Sequence, residues 1–155
     1  MAKQNENKPA FKYQYLFEEY KITELCPLKG CTPQNRLSYR WIYAPIDHEL
    51  NFMPNSIFDT KRNKPRRIND KTDLGFICSY CSVSLFDTLE NAKKVFKNLP
   101  PSAQTNLGYT HVAEGIVTET DGVMDSISSH GHFNFFEYEN MKYTERFKKE
   151  ILSII

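Results

Sequence analysis

The chain has 155 residues, 40% of them hydrophobic and 25% charged, a composition typical of one globular domain. The formal net charge of +1 excludes a globally basic nucleic-acid-binding protein, so only a local patch could bind nucleic acid. No apolar run approaches the roughly 20 residues of a membrane-spanning helix. Because the N-terminus also lacks an apolar signal segment, the sequence predicts a cytoplasmic protein with no membrane partner.

The N-terminal part of the chain predicts a flexible lead-in, a helix and a strand. We expect residues 1–10 to be flexible and residues 11–155 to form a single domain. Apolar residues at helical spacing predict a helix from Phe11 to Leu25. Alternating aromatic residues predict a strand from Leu37 to Ala44, with Arg40 on the opposite face.

Residues 45–73 predict a long irregular connection, since Pro54 and Pro65 interrupt it. A basic run, residues 61–67, lies inside this connection and carries five positive charges. A solvated loop is the simplest interpretation of the run. If the run is functional, it could bind a nucleic-acid backbone or the phosphates of a dinucleotide.

The central stretch predicts a strand from Leu74 to Phe86, followed almost directly by an amphipathic helix to Leu99. The two-residue period of a strand places Tyr80, Ser82 and Ser84 on one face. A purely structural strand does not need two hydroxyl groups beside a tyrosine, so this face is a candidate site. Asp87 or Thr88 caps the helix, and Pro100 and Pro101 end it, with a loop to residue 108.

The C-terminal part predicts two more strands and a final helix. A strand is expected from Tyr109 to Thr118, and Asp121-Gly122 predicts a hairpin that returns through Val123 and Met124. His132 to Glu139 predicts the last strand, and Thr144 begins a helix that runs to Ile155. Strands with irregularly inserted helices indicate an α+β domain with a central, mostly antiparallel sheet and flanking helices.

Three polar features stand in chain order on separate predicted strands. They are Arg40, the Ser82-Val-Ser84 pair and Glu137-Tyr-Glu139. This order resembles the Arg … Ser-x-Ser … Glu-x-Glu layout of the ADP-ribosyltransferase superfamily, over residues 37–139. Members of that superfamily typically carry Ser-Thr-Ser, where this chain has Ser-Val-Ser.

The resemblance implies a binding site for NAD, which would be the substrate. Arg40 would hold the pyrophosphate through a charge-assisted fork of hydrogen bonds. Tyr80 would form a wall for the nicotinamide, and Ser82 and Ser84 would order the site. Small free-standing members of the superfamily act as toxins or in conflict with phages, which is a further implication of the resemblance.

The resemblance also implies a catalytic carboxylate, because cleavage of the bond between nicotinamide and ribose develops positive charge on the sugar. Glu139 holds the motif position of the catalytic glutamate, and Glu137 would then address an unknown acceptor of ADP-ribose. Glu114 lies closer in sequence to the serine pair and is the alternative carboxylate. NAD cleavage without transfer is the related activity.

Two alternatives stay open from the residues alone. The first is a non-catalytic module that binds protein or nucleic acid through an aromatic face and the basic 61–67 run. The second is a small hydrolase or nuclease that uses His111, His130 and His132 as acid, base or substrate-facing groups. Among these histidines, His132 is the candidate active-site residue, in a substrate-facing or hydrogen-bonding role.

Four cysteines, Cys26, Cys31, Cys78 and Cys81, are expected to be free thiols in a cytoplasmic protein. Four thiols are also the number that a structural zinc ion takes. The zinc alternative is the weaker one, because Cys78 and Cys81 fall within the predicted strand and would face opposite ways. We therefore predict no metal site.

Overall fold

A six-stranded antiparallel sheet organises residues 9–152, which are the residues that the computed structural model describes. The expected flexibility of residues 1–8 lies outside that range. Neighbouring strands follow the order β4-β5-β2-β1-β3-β6, and every pair is antiparallel. The strands are β1 (Arg36–Ile42), β2 (Val83–Phe86), β3 (His111–Val117), β4 (Gly122–Met124), β5 (His132–Glu137) and β6 (Phe147–Leu152). The predicted α+β domain with a largely antiparallel sheet is confirmed.

Short helices flank the sheet. They are α1 (Gln14–Glu19), α2 (Asn55–Lys61), α3 (Leu74–Tyr80), α4 (Leu89–Lys97), α5 (Pro101–Leu107) and α6 (Tyr143–Arg146). The helix expected from residue 11 to 25 is limited to α1. Helices α2 and α5 occupy segments that were expected to be irregular. The Thr88 cap of α4 is confirmed, since its hydroxyl accepts a hydrogen bond from the Asn91 N–H.

The sheet is curled rather than flat. Only residues 118–121 connect β3 to β4, although three strands separate the two in the sheet. In a flat sheet the two strands would lie about 19 Å apart, while the extended connection reaches only about 18 Å. The predicted hairpin is wrong: the chain turns at residues 119–121, and β4, which begins at Gly122, pairs with β5 instead of β3.

The curled sheet encloses the main core on its concave face. Apolar side chains of all six strands meet in one buried cluster, which contains Ile42, Val83, Leu85, Ala113, Val117, Met124, Phe133, Phe135 and Phe147. On the convex face, α4 packs Ala92 and Phe96 against Tyr39, Phe86 and Val112. These two layers hold β1 and β2 between them and set the position of the candidate site.

The strand expected from Leu74 to Phe86 is wrong in its first half. Residues 74–80 form helix α3, because the Asp73 carboxylate accepts a hydrogen bond from the Phe76 N–H and caps the helix. Helical spacing turns Ile77, Cys78 and Cys81 toward a third buried cluster that also contains residues of α1. Only Val83–Phe86 is a strand.

The prediction of a C-terminal helix from Thr144 is also wrong over most of the predicted length. Helix α6 ends at Arg146, and the chain continues as β6, which pairs with β3. Strand β3 would otherwise present a row of unpaired N–H and C=O groups on that side, and pairing satisfies them. Ile155, the end of the expected helix, lies outside the described residues.

Two of the four cysteines are joined. A disulfide links Cys26 to Cys78, with a Cα–Cα distance of 5.5 Å, and closes a loop between residues 52 positions apart. The prediction of four thiols is thus wrong for this pair, because the helical turn at Cys78 faces the loop after α1. Cys31 and Cys81 carry thiols, and burial raises the pKa of Cys81 to about 12.

Within residues 9–152 there is no group of three or more His, Cys, Asp or Glu side chains placed to hold a metal ion. The same range contains no helix that is long and apolar enough to cross a membrane.

Candidate functional site

A cavity of about 410 Å³ opens beside the point where β1 and β2 separate. One part of its wall is apolar and aromatic and includes Trp41, Phe86 and Tyr109. The other part is polar and basic and includes Arg40, Arg67, Ser84, His130 and His132. A concave apolar site of this size with a few convergent polar groups is typical of a small-molecule site.

Arg40 occupies a gap in the sheet. Strands β1 and β2 pair at a single position, Tyr39 with Phe86, and the strands then separate. The Arg40 guanidinium fills the opening: Nη1 donates to the Ser84 carbonyl at 2.9 Å, and Nη2 donates to the Met53 carbonyl at 3.4 Å. The side chain thus replaces hydrogen bonds that the sheet no longer supplies.

The charge of Arg40 has no counter-charge within residues 9–152. Arg40 is only 5% exposed, it makes no ion pair with a described carboxylate, and its Nε has no hydrogen-bond partner there. A buried charge is unfavourable unless it is paired and fully hydrogen-bonded. Because Arg40 also lines the cavity, the cavity has the electrostatics of an anion-binding site.

Arg67 brings a second guanidinium to the cavity and is held by a small network. Its Nε donates to Asp59 Oδ2 at 3.1 Å, and its guanidinium lies 5.3 Å from the centre of the Tyr80 ring. The Tyr80 hydroxyl donates to the same carboxylate oxygen at 2.5 Å. Tyr80, predicted to face the nicotinamide, therefore lies behind Arg67 and positions it.

The two histidines of the cavity flank a glycine that the loop requires. Gly131 has a φ of +79°, and a Cβ there would lie 2.4 Å from Asp87 Oδ1. His130 is exposed, whereas His132 begins β5 and packs edge-on against Phe86. Burial lowers the pKa of His132 from 6.5; the Asp125 carboxylate opposes this shift and the nearby Arg40 charge adds to it. His132 is thus neutral at pH 7.

The predicted glutamates lie elsewhere. Glu137 is five residues beyond His132 on β5, about 17 Å along the strand. It is 1% exposed, accepts a hydrogen bond from the Tyr143 hydroxyl at 2.8 Å, and lies 3.6 Å from Lys12 Nζ. Burial raises the pKa of Glu137 to about 7, although both partners oppose the shift.

Glu114 and Glu139 do not line the cavity either. Glu114 accepts a hydrogen bond from the Tyr39 hydroxyl at 2.7 Å and lies 3.9 Å from Lys149 Nζ. Glu139 is exposed on the turn after β5. The described part of the cavity wall contains no carboxylate.

Ser82 is separated from Ser84. It lies in the turn after α3, where its hydroxyl is within hydrogen-bond distance of the Ser79 carbonyl and Asn134 Oδ1. The two serines do not share a strand face, because β2 begins only at Val83. His111 is also outside the cavity, with its Nδ1 2.7 Å from the Thr110 hydroxyl.

The structure therefore brings together Arg40, Ser84, His130 and His132 from the predicted candidates. It adds Arg67 and the aromatic wall, which we had not assigned to the site. The basic run 61–67 contained a signal for Arg67, since a phosphate-binding role was considered for the run as a whole. Nothing local in the sequence indicates that Asp59 and Tyr80 orient this one arginine.

Comparison with known proteins gave no match to a protein-family model, to a curated protein or to a solved structure. The fold and site define the class of protein only as an α+β domain with a basic, aromatic-walled cavity. Its function has to be inferred from the geometry of that cavity.

Proposed function

We propose that the cavity binds a phosphate-bearing ligand with a flat ring, a ligand of the nucleotide class, of which NAD is the leading candidate. The observation that carries this proposal is Arg40, a buried guanidinium that faces the cavity and has no described carboxylate partner. A phosphate would supply the missing counter-charge through charge-assisted hydrogen bonds.

The remaining wall suits the two parts of such a ligand. Arg67 and the Ser84 hydroxyl lie at the same cavity and are further donors for phosphate oxygens. Trp41 and Phe86, with ring centres 5.2 Å apart, offer an aromatic surface for the ring. The cavity volume of about 410 Å³ falls in the range of small-molecule sites, roughly 300–1,000 Å³.

The function we propose is binding rather than bond cleavage. Stabilising a ribosyl cation would need a carboxylate at the site, and Glu114, Glu137 and Glu139 all lie outside the described cavity wall. ADP-ribosyl transfer, the activity implied by the resemblance, would be an extension of the binding function. Release of nicotinamide from NAD is the measurement that would establish it.

A second candidate function is hydrolysis of a phosphate ester, because two imidazoles line the cavity. In this reaction a water oxygen attacks phosphorus, neutral His132 takes the water proton, and the P–O bond to the leaving group breaks. His130 then donates a proton to the leaving oxygen as the general acid. Inorganic phosphate release from a nucleotide, lost in both His130→Gln and His132→Gln, would support this function.

Isothermal titration calorimetry with NAD tests the proposed binding. Arg67→Ala removes a guanidinium from the cavity wall. We expect it to lower the affinity for NAD about tenfold, as for the loss of one hydrogen bond to a charged group. Arg66→Ala is the matched control, because Arg66 pairs with Glu19 and does not line this cavity. No NAD binding by the folded wild type, or equal weakening by both variants, would contradict the proposal.

A further inference from the structure

The basic run leads directly to the cavity. Arg67 at its end lines the cavity, and so does Asn55 at the start of α2, the helix that leads into the run. Between them, an Arg62 Nη donates to the Asn106 carbonyl of α5, and the Arg62 guanidinium lies 4.7 Å from the centre of the Phe58 ring. Because Leu107 of α5 also lines the cavity, the run borders the cavity rim.

Three positive charges of this run are not compensated within residues 9–152. Arg66 pairs with Glu19, and Arg67 pairs with Asp59. Lys61, Arg62 and Lys64 make no ion pair with a described carboxylate, and both lysines are exposed. A row of open positive charges beside an anion-binding cavity raises the local concentration of polyanions.

Helix α4 adds positive charge from another part of the wall. Val95 of α4 and Leu99, which follows the helix, line the cavity, and Lys94 is the exposed residue directly before Val95. Lys97, one helical turn after Lys94, is also exposed. Both the basic run and α4 therefore combine a cavity-lining residue with exposed lysines. A ligand with more than one phosphate could interact with these lysines as well as with the cavity.

We infer that the natural ligand is the phosphorylated end of a single-stranded nucleic acid; this inference rests on the proposed function and names its ligand class. The terminal nucleotide enters the cavity, where Arg40 and Arg67 bind the terminal phosphate and the aromatic wall holds the base. The following phosphates lie along Lys61, Arg62 and Lys64. The end must be single-stranded, because a base that enters the cavity cannot remain paired.

Fluorescence anisotropy with a short oligonucleotide, about eight nucleotides long, tests this inference. The strand is compared with and without a terminal phosphate, with the phosphate placed at either end in separate arms. We expect the phosphorylated strand to bind about tenfold more tightly, since it gains charge-assisted hydrogen bonds to the cavity arginines. The same strand is also compared with the mononucleotide AMP.

The double variant Lys61→Ala/Lys64→Ala removes two phosphate contacts outside the cavity. The slope of the logarithm of the binding constant against the logarithm of the salt concentration should become shallower by about 1.4. A fourfold rise in salt should therefore weaken strand binding by a factor that is about sevenfold smaller in the variant than in the wild type. The double variant should weaken binding of the strand far more than binding of AMP. Lys148→Ala/Lys149→Ala on the edge strand β6 is the charge-matched control, with strand binding unchanged.

The outcomes separate this inference from the proposed function. AMP binding without tighter binding of the strand, or with no effect of Lys61→Ala/Lys64→Ala, overturns the inference and leaves the cavity function standing. Equal affinities for the strand with and without the terminal phosphate would also overturn the inference. Failure of both AMP and the strand to bind would contradict the proposed function as well.

Discussion

The charged residues near the two ends of β5 differ in whether they have a partner of opposite charge. At the His132 end, the cavity collects Arg40, Arg67 and two imidazoles, and no carboxylate lines the described wall. Near the far end, Asp121 accepts hydrogen bonds from Arg146 Nε at 2.7 Å and Nη2 at 3.0 Å. Although burial opposes ionisation, these bonds and those from Thr118 lower the pKa of Asp121.

The difference separates structural charges from ligand-binding ones. Asp121 follows β3 and Arg146 precedes β6, so their ion pair fastens the curled end of the sheet, and each charge is satisfied by the other. Arg40 is buried to a similar degree but has no such partner among the described residues. Proteins accept such an unfavourable arrangement at functional sites, where a ligand completes it.

The largest effect should come from breaking the compensated pair. Asp121→Ala leaves the Arg146 guanidinium and the Thr118 N–H without their acceptor, so we expect a loss of about 3–5 kcal/mol in the free energy of unfolding at pH 7. Urea denaturation measures it. Because the folded-state pKa of Asp121 is lowered from 3.8, the contribution is present above pH 3.8 and is lost as pH falls below it. Asp70→Ala, at an exposed position, is the control and should change little.

Glu137 is less well compensated, and its effect should have the opposite pH dependence. Burial raises its pKa from 4.5 to about 7, so the folded protein holds a proton that the unfolded chain has lost between those pH values. Wild-type stability should therefore fall by about 3 kcal/mol as pH rises through this range. Glu137→Gln keeps an acceptor for Tyr143 and should remove this dependence. If the free energy of unfolding from urea denaturation changed equally between pH 5 and pH 8 in the wild type and in Glu137→Gln, the assignment would be contradicted.

Arg40 should affect both stability and binding. Arg40→Met removes an uncompensated charge but also leaves the Ser84 and Met53 carbonyls without a donor, so the free energy of unfolding should fall by about 1–3 kcal/mol. Affinity for a nucleotide should fall at least about thirtyfold, the cost of removing one partner of a buried charge pair. Denaturation and calorimetry on the same sample test both statements. A large loss of stability would show that Arg40, like Asp121, is a structural charge.

The smallest effect is the pH dependence of binding. Burial lowers the pKa of His132 from 6.5, so this residue gains its positive charge only as pH falls below 6.5. Protonated His132 attracts an anion, and affinity should therefore rise about fivefold below that pH. In His132→Gln the rise should be absent. A wild-type affinity that is constant down to pH 5 would argue that His132 does not contact the ligand.

The elements predicted from sequence are those whose pattern is local. Strands β1 and β3 alternate over seven residues each, and α4 has both its Thr88 cap and an apolar face. Strand β6 and the partner of β4 depend on which sheet edge is free, which no local pattern encodes. Helix α3 was missed because its apolar residues fit either period over so short a stretch.

The candidate site was predictable to a similar extent. Arg40, Ser84 and His132 lie on strands whose type was correctly predicted, and these residues reach the cavity. Ser82 and Tyr80 were placed on a strand that is partly a helix, so their predicted face does not exist. The contact between Asp59 and Arg67 joins a helix to a loop and follows from tertiary structure alone.

The most direct test of the account compares AMP with adenosine by calorimetric titration of the wild-type protein. The two ligands differ only by the phosphate that Arg40 is proposed to bind. We predict that AMP binds at least about thirtyfold more tightly than adenosine. Equal affinities, or no binding of AMP to the folded protein, would contradict the claim that the charge of Arg40 is left open for an anion.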